Sequence, residues 1–311
     1  MINNFDQLIQ QAKIISKQQD RQIRVAIAAG NNRAALEAIQ DAKKMKLADG
    51  LLIGNRDSIF QTLDEVGIGR NEFEIIQANE SQEICQRTVQ AIHDGTAEII
   101  LKGQVKSATL LKAVFDAEHG LRTGRLISDA FVFEWPDRPQ PNKLMIITDG
   151  GFNLAPDLHQ KIQILENAVQ VMHALGNPNP NVAVLSAVET VNPSLQSTTD
   201  AAILAKMNER GQINGCIVDG PLALDNAISL ESAQQKGIQS PVAGKADILL
   251  FPNIESANIT AKGTTYFTKL RLAHATLGAK APVLIPSRSD TADAKLLTIA
   301  LNVLICKHNS N

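Results

Sequence analysis

The chain has 311 residues, more than one average domain, so its length predicts two. Apolar residues make up 44% and charged residues 20%, the profile of an ordinary soluble globular protein. The net charge is -2, from 30 basic and 32 acidic residues, and aromatics are only 4%. Those values exclude a bulk positive field for a polyanion and a platform of stacking rings, so no nucleic-acid partner is expected.

Met1 to Gln19 reads as an amphipathic polar helix, without the basic start and apolar run of a signal peptide. No stretch approaches the roughly 18 apolar residues of a membrane span, so no membrane partner is expected. From Gln22 onward, short Val- and Ile-rich runs alternate with longer helical patterns. The runs Ile23–Ala28, Gly50–Ile53, Phe73–Ile76 and Glu98–Leu101 come first, and Asn32–Lys46 is an amphipathic helix between the first two. Gly120–Arg125 ends a helical pattern. Ile127–Phe133, the turn-rich Pro136–Asn142 and Leu144–Thr148 then read as an antiparallel pair. After the helical pattern Leu158–Leu175 the strand-like runs are Val182–Leu185, Cys216–Val218, Ile248–Phe251 and Val283–Ile285. A long helical pattern runs to Thr276, and a last helix, Asp290–Lys307, is expected to fold back onto the first lobe. The alternation predicts an α/β fold with parallel sheets and helices on both faces. The expected division is residues 1–127 with 280–311, and 128–279.

The strands end in polar residues. Lys102-Gly103, Asp149-Gly150-Gly151, Ser186, Asp219-Gly220, Pro252-Asn253 and Pro286-Ser287-Arg288 each follow an apolar run. In open α/β sheets the carboxyl ends of the strands form the ligand crevice, because the connecting loops diverge there. Asp-Gly and Asn are also simply turn formers at such places. Arg288 is harder to explain as a turn residue, and its guanidinium matches phosphate oxygens bidentately. Other chemistries find no support. There is no G-x-G-x-x-G after a strand, no complete P-loop and no G-x-S-x-G elbow. The histidines at 93, 119, 159, 173, 274 and 308 show no metal spacing. Cys85, Cys216 and Cys306 form no C-x-x-C pair, so neither a zinc site nor a disulfide framework is indicated and a reducing, cytoplasmic location is expected.

Several blocks together resemble the phosphate acetyl/butyryltransferase family. They are Leu101-Lys102-Gly103, Gly120-Leu121-Arg122-Thr123-Gly124, and Thr148-Asp149-Gly150-Gly151-Phe152-Asn153. Val218 to Ala227 (VDGPLALDNA), Leu249 to Ile259 (LLFPNIESANI) with Lys262, and Ser287-Arg288-Ser289-Asp290 with Asp293 and Lys295 continue the series. Glu189-Thr190-Val191-Asn192-Pro193 and Arg210-Gly211-Gln212-Ile213 look closer to the butyryl branch. Leu195-Gln196 departs from that branch's usual Met-Pro, and Ala257 stands where Gly is usual.

The resemblance implies a two-lobe αβα fold like that of the isocitrate and isopropylmalate dehydrogenases, with the active-site cleft between the lobes. It also implies a dimer built on the second lobe, no metal, and no tightly bound cofactor, coenzyme A being a substrate. The implied reaction is acyl-CoA + phosphate ⇌ acyl phosphate + CoA by direct transfer in a ternary complex. The acyl group is butyryl or a similar short chain, with acetyl as the alternative. In that scheme Arg288 holds phosphate or the oxyanion, Ser287 donates to the oxyanion, and Asp293 is the base, with Asp290 its rival. Asp290 and Asp293 also fit the cap and first-turn positions of a helix. Lys102, Arg122 and Arg125 are candidate cations for phosphate or coenzyme A. Ser128, Asp149, Asn258 and Lys262 are further candidate substrate-binding residues. A non-catalytic coenzyme A-binding subunit is the competing reading of another class.

Overall fold

The computed structural model describes residues 1–18, 21–135, 143–286 and 290–309. The chain forms two compact units, one of Phe5–Arg125 with Ala273–Asn311 and one of Met1–Asn4 with Leu126–Leu272. The chain therefore crosses between units at Asn4/Phe5, Arg125/Leu126 and Leu272/Ala273. The expected crossings were 127/128 and 279/280.

The first unit begins with α1 (Phe5–Lys17), β1 (Arg24–Ala28), α2 (Arg33–Lys44), β2 (Asp49–Gly54) and α3 (Arg56–Glu65). It continues through β3 (Glu74–Gln77), α4 (Ser81–His93), β4 (Ile99–Lys102) and α5 (Ser107–Val114). Val25 to Ala28 and Leu51 to Ile53 are buried on both faces, so these strands carry no polar alternation, as parallel strands under two helix layers require. One face is closed by Ile84, Cys85 and Val89 of α4 with Leu110 and Val114 of α5. Each fully buried Leu, Ile or Val of this kind contributes about 1.5–3 kcal/mol relative to exposure. Two of the helices, α2 and α3, are started by side chains. Asn32 accepts from the Ala35 amide at 2.9 Å, and Asn55 from the Ser58 amide at 2.9 Å, satisfying donors that the first turn leaves over.

The second unit opens with β5 (Ser128–Trp135) and β6 (Lys143–Thr148), paired antiparallel with Val132 opposite Ile146. Then come α6 (Leu158–Ala174), β7 (Asn181–Leu185), α7 (Gln196–Glu209), β8 (Ile217–Leu222), α8 (Leu224–Ile228), α9 (Leu230–Gln235), β9 (Ile248–Leu250) and α10 (Ile254–Tyr266). Within this unit the strand order is β5-β6-β9-β7-β8, parallel from β6 onward. Asp157 and Gln160 close a capping box at the start of α6. A buried ion pair, Lys161 Nζ to Asp200 at 2.5 Å, ties α6 to α7.

The helical pattern expected to reach Thr276 stops at Tyr266. Lys269 takes a left-handed backbone (φ 59°) that ends helical continuation, and a strand, β10 (Leu272–Leu277), follows. β10 thus replaces the end of the expected helix. It is fastened to the last helix, α11 (Ala292–Asn309), where the His274 amide donates to Thr298 Oγ1 at 3.1 Å and Asn302 Nδ2 to the His274 carbonyl at 2.9 Å. That is why residues from Ala273 belong to the first unit. At the other crossing, the Leu126 amide donates to Gln163 at 2.8 Å and Asn167 to the Leu126 carbonyl at 3.0 Å, both on α6. β11 (Val283–Leu284) completes the first sheet, whose order is β11-β4-β1-β2-β3, all parallel. As expected, α11 packs back on this unit, against α1 and α2. Among the described residues no helix is long and apolar enough to cross a membrane.

Candidate active site

In the first unit the carboxyl ends of β1, β4 and β11 lie side by side, because β4 pairs with both neighbours. Their loops are drawn together at Gly103. Its amide donates to the Ala28 carbonyl at 2.8 Å. A Cβ there would stand 2.1 Å from the Ala29 carbonyl oxygen, so only glycine allows this approach. A cavity of about 560 Å³ opens at this end, lined by Asn32, Arg33, Lys102, Lys106, Pro286 and Lys295 among others. Among the described residues its lining carries four cations and no carboxylate. Arg33 stands at the first turn of α2 and is paired with Glu37 at 2.9 Å. Lys102 lies half-buried, its ammonium 3.4 Å from the Gly103 carbonyl and 3.3 Å from that of Val105. Lys295 enters from α11 and is 4% exposed. Burial pushes the Lys295 ammonium below its usual range; the neighbouring Lys102 adds to this and the Asp290 carboxylate opposes it.

The sequence-nominated residues divide. Ser287 and Arg288 lie outside the described residues. Asp290 is largely buried, with Oδ2 3.7 Å from His274 Nε2, and its carbonyl accepts from Lys295 Nζ. Asp293 is exposed in the first turn of α11. Arg122 is exposed, and its Nε donates to the Phe115 carbonyl at 2.6 Å. Arg125 is exposed, with its amide 3.3 Å from Thr123 Oγ1. A second cavity, of about 630 Å³, lies along α4 and α5 and is lined by Gln82, Gln86, Lys112 and His119 among others, none of them nominated from the sequence.

The other nominated residues are in the second unit. Ser128 is buried at the start of β5, its Oγ accepting from Asn167 at 2.9 Å. Asp149 is 3% exposed and organises the loop that follows β6. Its Oδ1 accepts from the amides of Asp129 (3.1 Å), Gly151 (2.9 Å) and Phe152 (3.3 Å), and Oδ2 from the Asn153 amide (2.9 Å) and side chain (2.5 Å). Burial raises the Asp149 carboxyl above its usual value and the nearby Asp129 adds to that, while the loop hydrogen bonds oppose it. Asn258 reaches the same loop, donating to the Gly150 carbonyl at 2.8 Å. Lys262 is exposed one turn further along α10. Asp149, Gly150 and Asn258 thus meet, and the Asp149 side chain is occupied in shaping backbone.

The block around Asp219–Asn226 is equally architectural. A Cβ on Gly220 would stand 2.6 Å from the Val184 carbonyl. Asn226 is buried, donates to Glu189 at 2.5 Å, and accepts the Gly244 amide on its carbonyl at 2.8 Å. Sequence reasoning passed over Asn32 and Lys106. The available signal is the loop after β1, Ala29-Gly30-Asn31-Asn32, where an apolar run also ends in polar residues.

A family model described as phosphate acetyl/butaryl transferase matches residues 83–303. The chain belongs to this family. Acyl transfer involving phosphate, which the sequence reading expects, is the family's activity. The chain is 43% identical to a phosphate butyryltransferase of Clostridium acetobutylicum, over 98% of this chain and 99% of that one. It is 40% identical to a phosphate acetyltransferase of Thermotoga maritima, over 94% and 98%. Among solved structures it is similar to a branched-chain phosphotransacylase from Enterococcus faecalis V583, with a TM-score of 0.80, 29% identity, and coverage of 91% of this chain and 99% of that one.

Proposed function

We propose that this family member transfers a short acyl group, preferably of four carbons, between coenzyme A and inorganic phosphate, with no metal and no tightly bound cofactor. The observation that carries the reading is the cationic cavity at the strand ends of the first unit, in a chain of this family. A tribasic oxyacid needs such a seat, and its desolvation there is offset by the surrounding ammonium and guanidinium groups. Phosphate is an adequate nucleophile once held close to the thioester carbonyl, and positioning of that kind supplies several kcal/mol.

Arg288 and Ser287 follow Pro286, a residue of the cavity wall, in the chain. In this proposal Arg288 binds phosphate and Ser287 donates to the tetrahedral oxyanion. Asp293 is the base toward the coenzyme A thiol. Its exposure leaves it accessible to a substrate, whereas the Asp290 carboxylate faces His274. Lys102, Arg122 and Arg125 bind the phosphates of the two reactants. Ser128, Asp149, Asn258 and Lys262 act through the second unit, Asp149 and Asn258 by shaping the 149–153 loop.

Direct transfer is favoured over a thioester enzyme intermediate. Burial pushes the thiols of Cys85 and Cys216 up to about 11 and that of Cys306 up to about 12, so none is a ready nucleophile. None of these cysteines is in a disulfide, which supports a cytoplasmic location.

The four-carbon preference rests on the Glu189–Pro193 and Arg210–Ile213 blocks and on the butyryltransferase relative. The acetyltransferase relative favours acetyl. Each buried methylene contributes about 0.8 kcal/mol, so two favour butyryl by roughly 1.6 kcal/mol, or about fifteenfold in kcat/KM, in an apolar pocket. The test compares kcat/KM for acetyl- and butyryl-CoA at one phosphate concentration. A clear acetyl preference refutes the chain-length assignment.

A further inference from the structure

The four cations of the 560 Å³ cavity differ in how they are held. Arg33 is turned to Glu37, and Lys106 is exposed at the cap position of α5. Lys295 is the one drawn out of water. It is 4% exposed, and its ammonium donates to the backbone carbonyl of Asp290. A lysine ammonium offers three donors. Burying it beside a second ammonium, that of Lys102, costs folding energy in two ways, by lost hydration and by like-charge repulsion. Both effects are visible in the lowered Lys295 ammonium. Among the described residues the cavity lining supplies no carboxylate to offset them. The Asp290 carboxylate acts on Lys295 from outside that lining. An arrangement of this kind is expected where a bound anion completes the charge balance.

We propose that Lys295 is a phosphoryl-binding residue, seating with Lys102 and Lys106 a phosphoryl group of one of the two phosphate-bearing reactants. The proposal rests on the phosphate acyltransferase reading and adds a residue to it. The ligand chemistry is a phosphoryl oxyanion, brought either by inorganic phosphate or by the phosphates of coenzyme A. The wall is prepared for such a group. Gly103 holds the β4 end against the Ala28–Ala29 carbonyls, and Asn32 opens α2 at the same cavity, where helix amides add positive potential.

The test uses the full-length enzyme with butyryl-CoA and inorganic phosphate, and the variants Lys295→Gln and Lys106→Gln. Lys106 is exposed, so its variant keeps the fold even if loss of the Lys295 charge disturbs packing. Steady-state constants are measured for each substrate, together with calorimetric binding of inorganic phosphate and of coenzyme A to the unliganded enzyme. A rise of tenfold or more in the phosphate KM, with the butyryl-CoA KM within twofold, identifies inorganic phosphate as the occupant. The reverse pattern identifies coenzyme A. Both support the seat. If both KM values and both binding constants stay within twofold in both variants, the proposal is overturned and Lys295 is structural. Absence of turnover in the wild-type enzyme refutes the functional reading instead, so the two failures are distinguishable.

Discussion

At the scale of single residues, Asp149 shows how a polar side chain can serve a site by building it. Its carboxyl is raised by burial, so the sign of its pH effect follows directly. Folding favours the protonated form. The stability it contributes is fully present below the unfolded value of 3.8 and is lost as pH rises through the raised folded value. Asp149→Asn removes that charge cost but turns one accepting oxygen into an NH2 facing the Asn153 amide and side chain. Leaving those donors unsatisfied costs about 1–3 kcal/mol, and this outweighs the relief. Urea unfolding at mildly acidic and neutral pH is expected to show a less stable variant whose deficit narrows as pH rises. A variant as stable as wild type throughout contradicts the role in the loop. Asp149 could be named from its place after an apolar run. Its five hydrogen bonds could not, because four of them depend on a loop that reverses on itself within four residues and the fifth comes from Asp129.

At the scale of elements, the first turn of α11 decides between two carboxylates. Asp293→Asn is expected to lose most thiol-dependent turnover in the acyl phosphate direction, consistent with a positioned base contributing about 10²–10⁴-fold. Asp290→Asn is expected to cost stability of about 1 kcal/mol or less while turnover survives, since it stands beside His274 and its carbonyl, not its carboxylate, takes the Lys295 hydrogen bond. Assay of both variants with CoA and butyryl phosphate checks this. Essential Asp290 with silent Asp293 reverses the assignment.

Elements were legible where period and burial agree. Val25–Ala28, Leu51–Ile53 and Ile99–Leu101 are unbroken apolar runs because both faces are covered. β10 was not legible. Leu272-Ala273-His274-Ala275-Thr276-Leu277 is short and follows a good helix, and neither the left-handed Lys269 that separates it from that helix nor the contacts of His274 with α11 can be read from a local pattern.

At the scale of the whole molecule, the two units and their parallel sheets follow from the alternation of strand and helix patterns. The crossings do not, because His274 and Leu126 are held by hydrogen bonds to α11 and α6 that no local pattern encodes. We expect a homodimer. The exposed Ile259, Tyr266 and Phe267 of α10 and its end (69%, 55% and 90% exposed) offer an apolar surface on the second unit. Sedimentation equilibrium is expected to give twice the chain mass of 33.6 kDa, falling toward one chain when Phe267 is replaced by Glu. A monomeric wild-type protein contradicts this expectation.

The central claim is that an acyl group leaves coenzyme A for phosphate. The most direct measurement is enzyme-dependent release of free thiol from butyryl-CoA with and without inorganic phosphate, with the product trapped by hydroxylamine and the direct attack of hydroxylamine on the thioester subtracted from an enzyme-free control. The account predicts thiol release that requires phosphate, survives a metal chelator, and is matched one for one by butyryl hydroxamate. Thiol release independent of phosphate, or coenzyme A binding without any release, contradicts it.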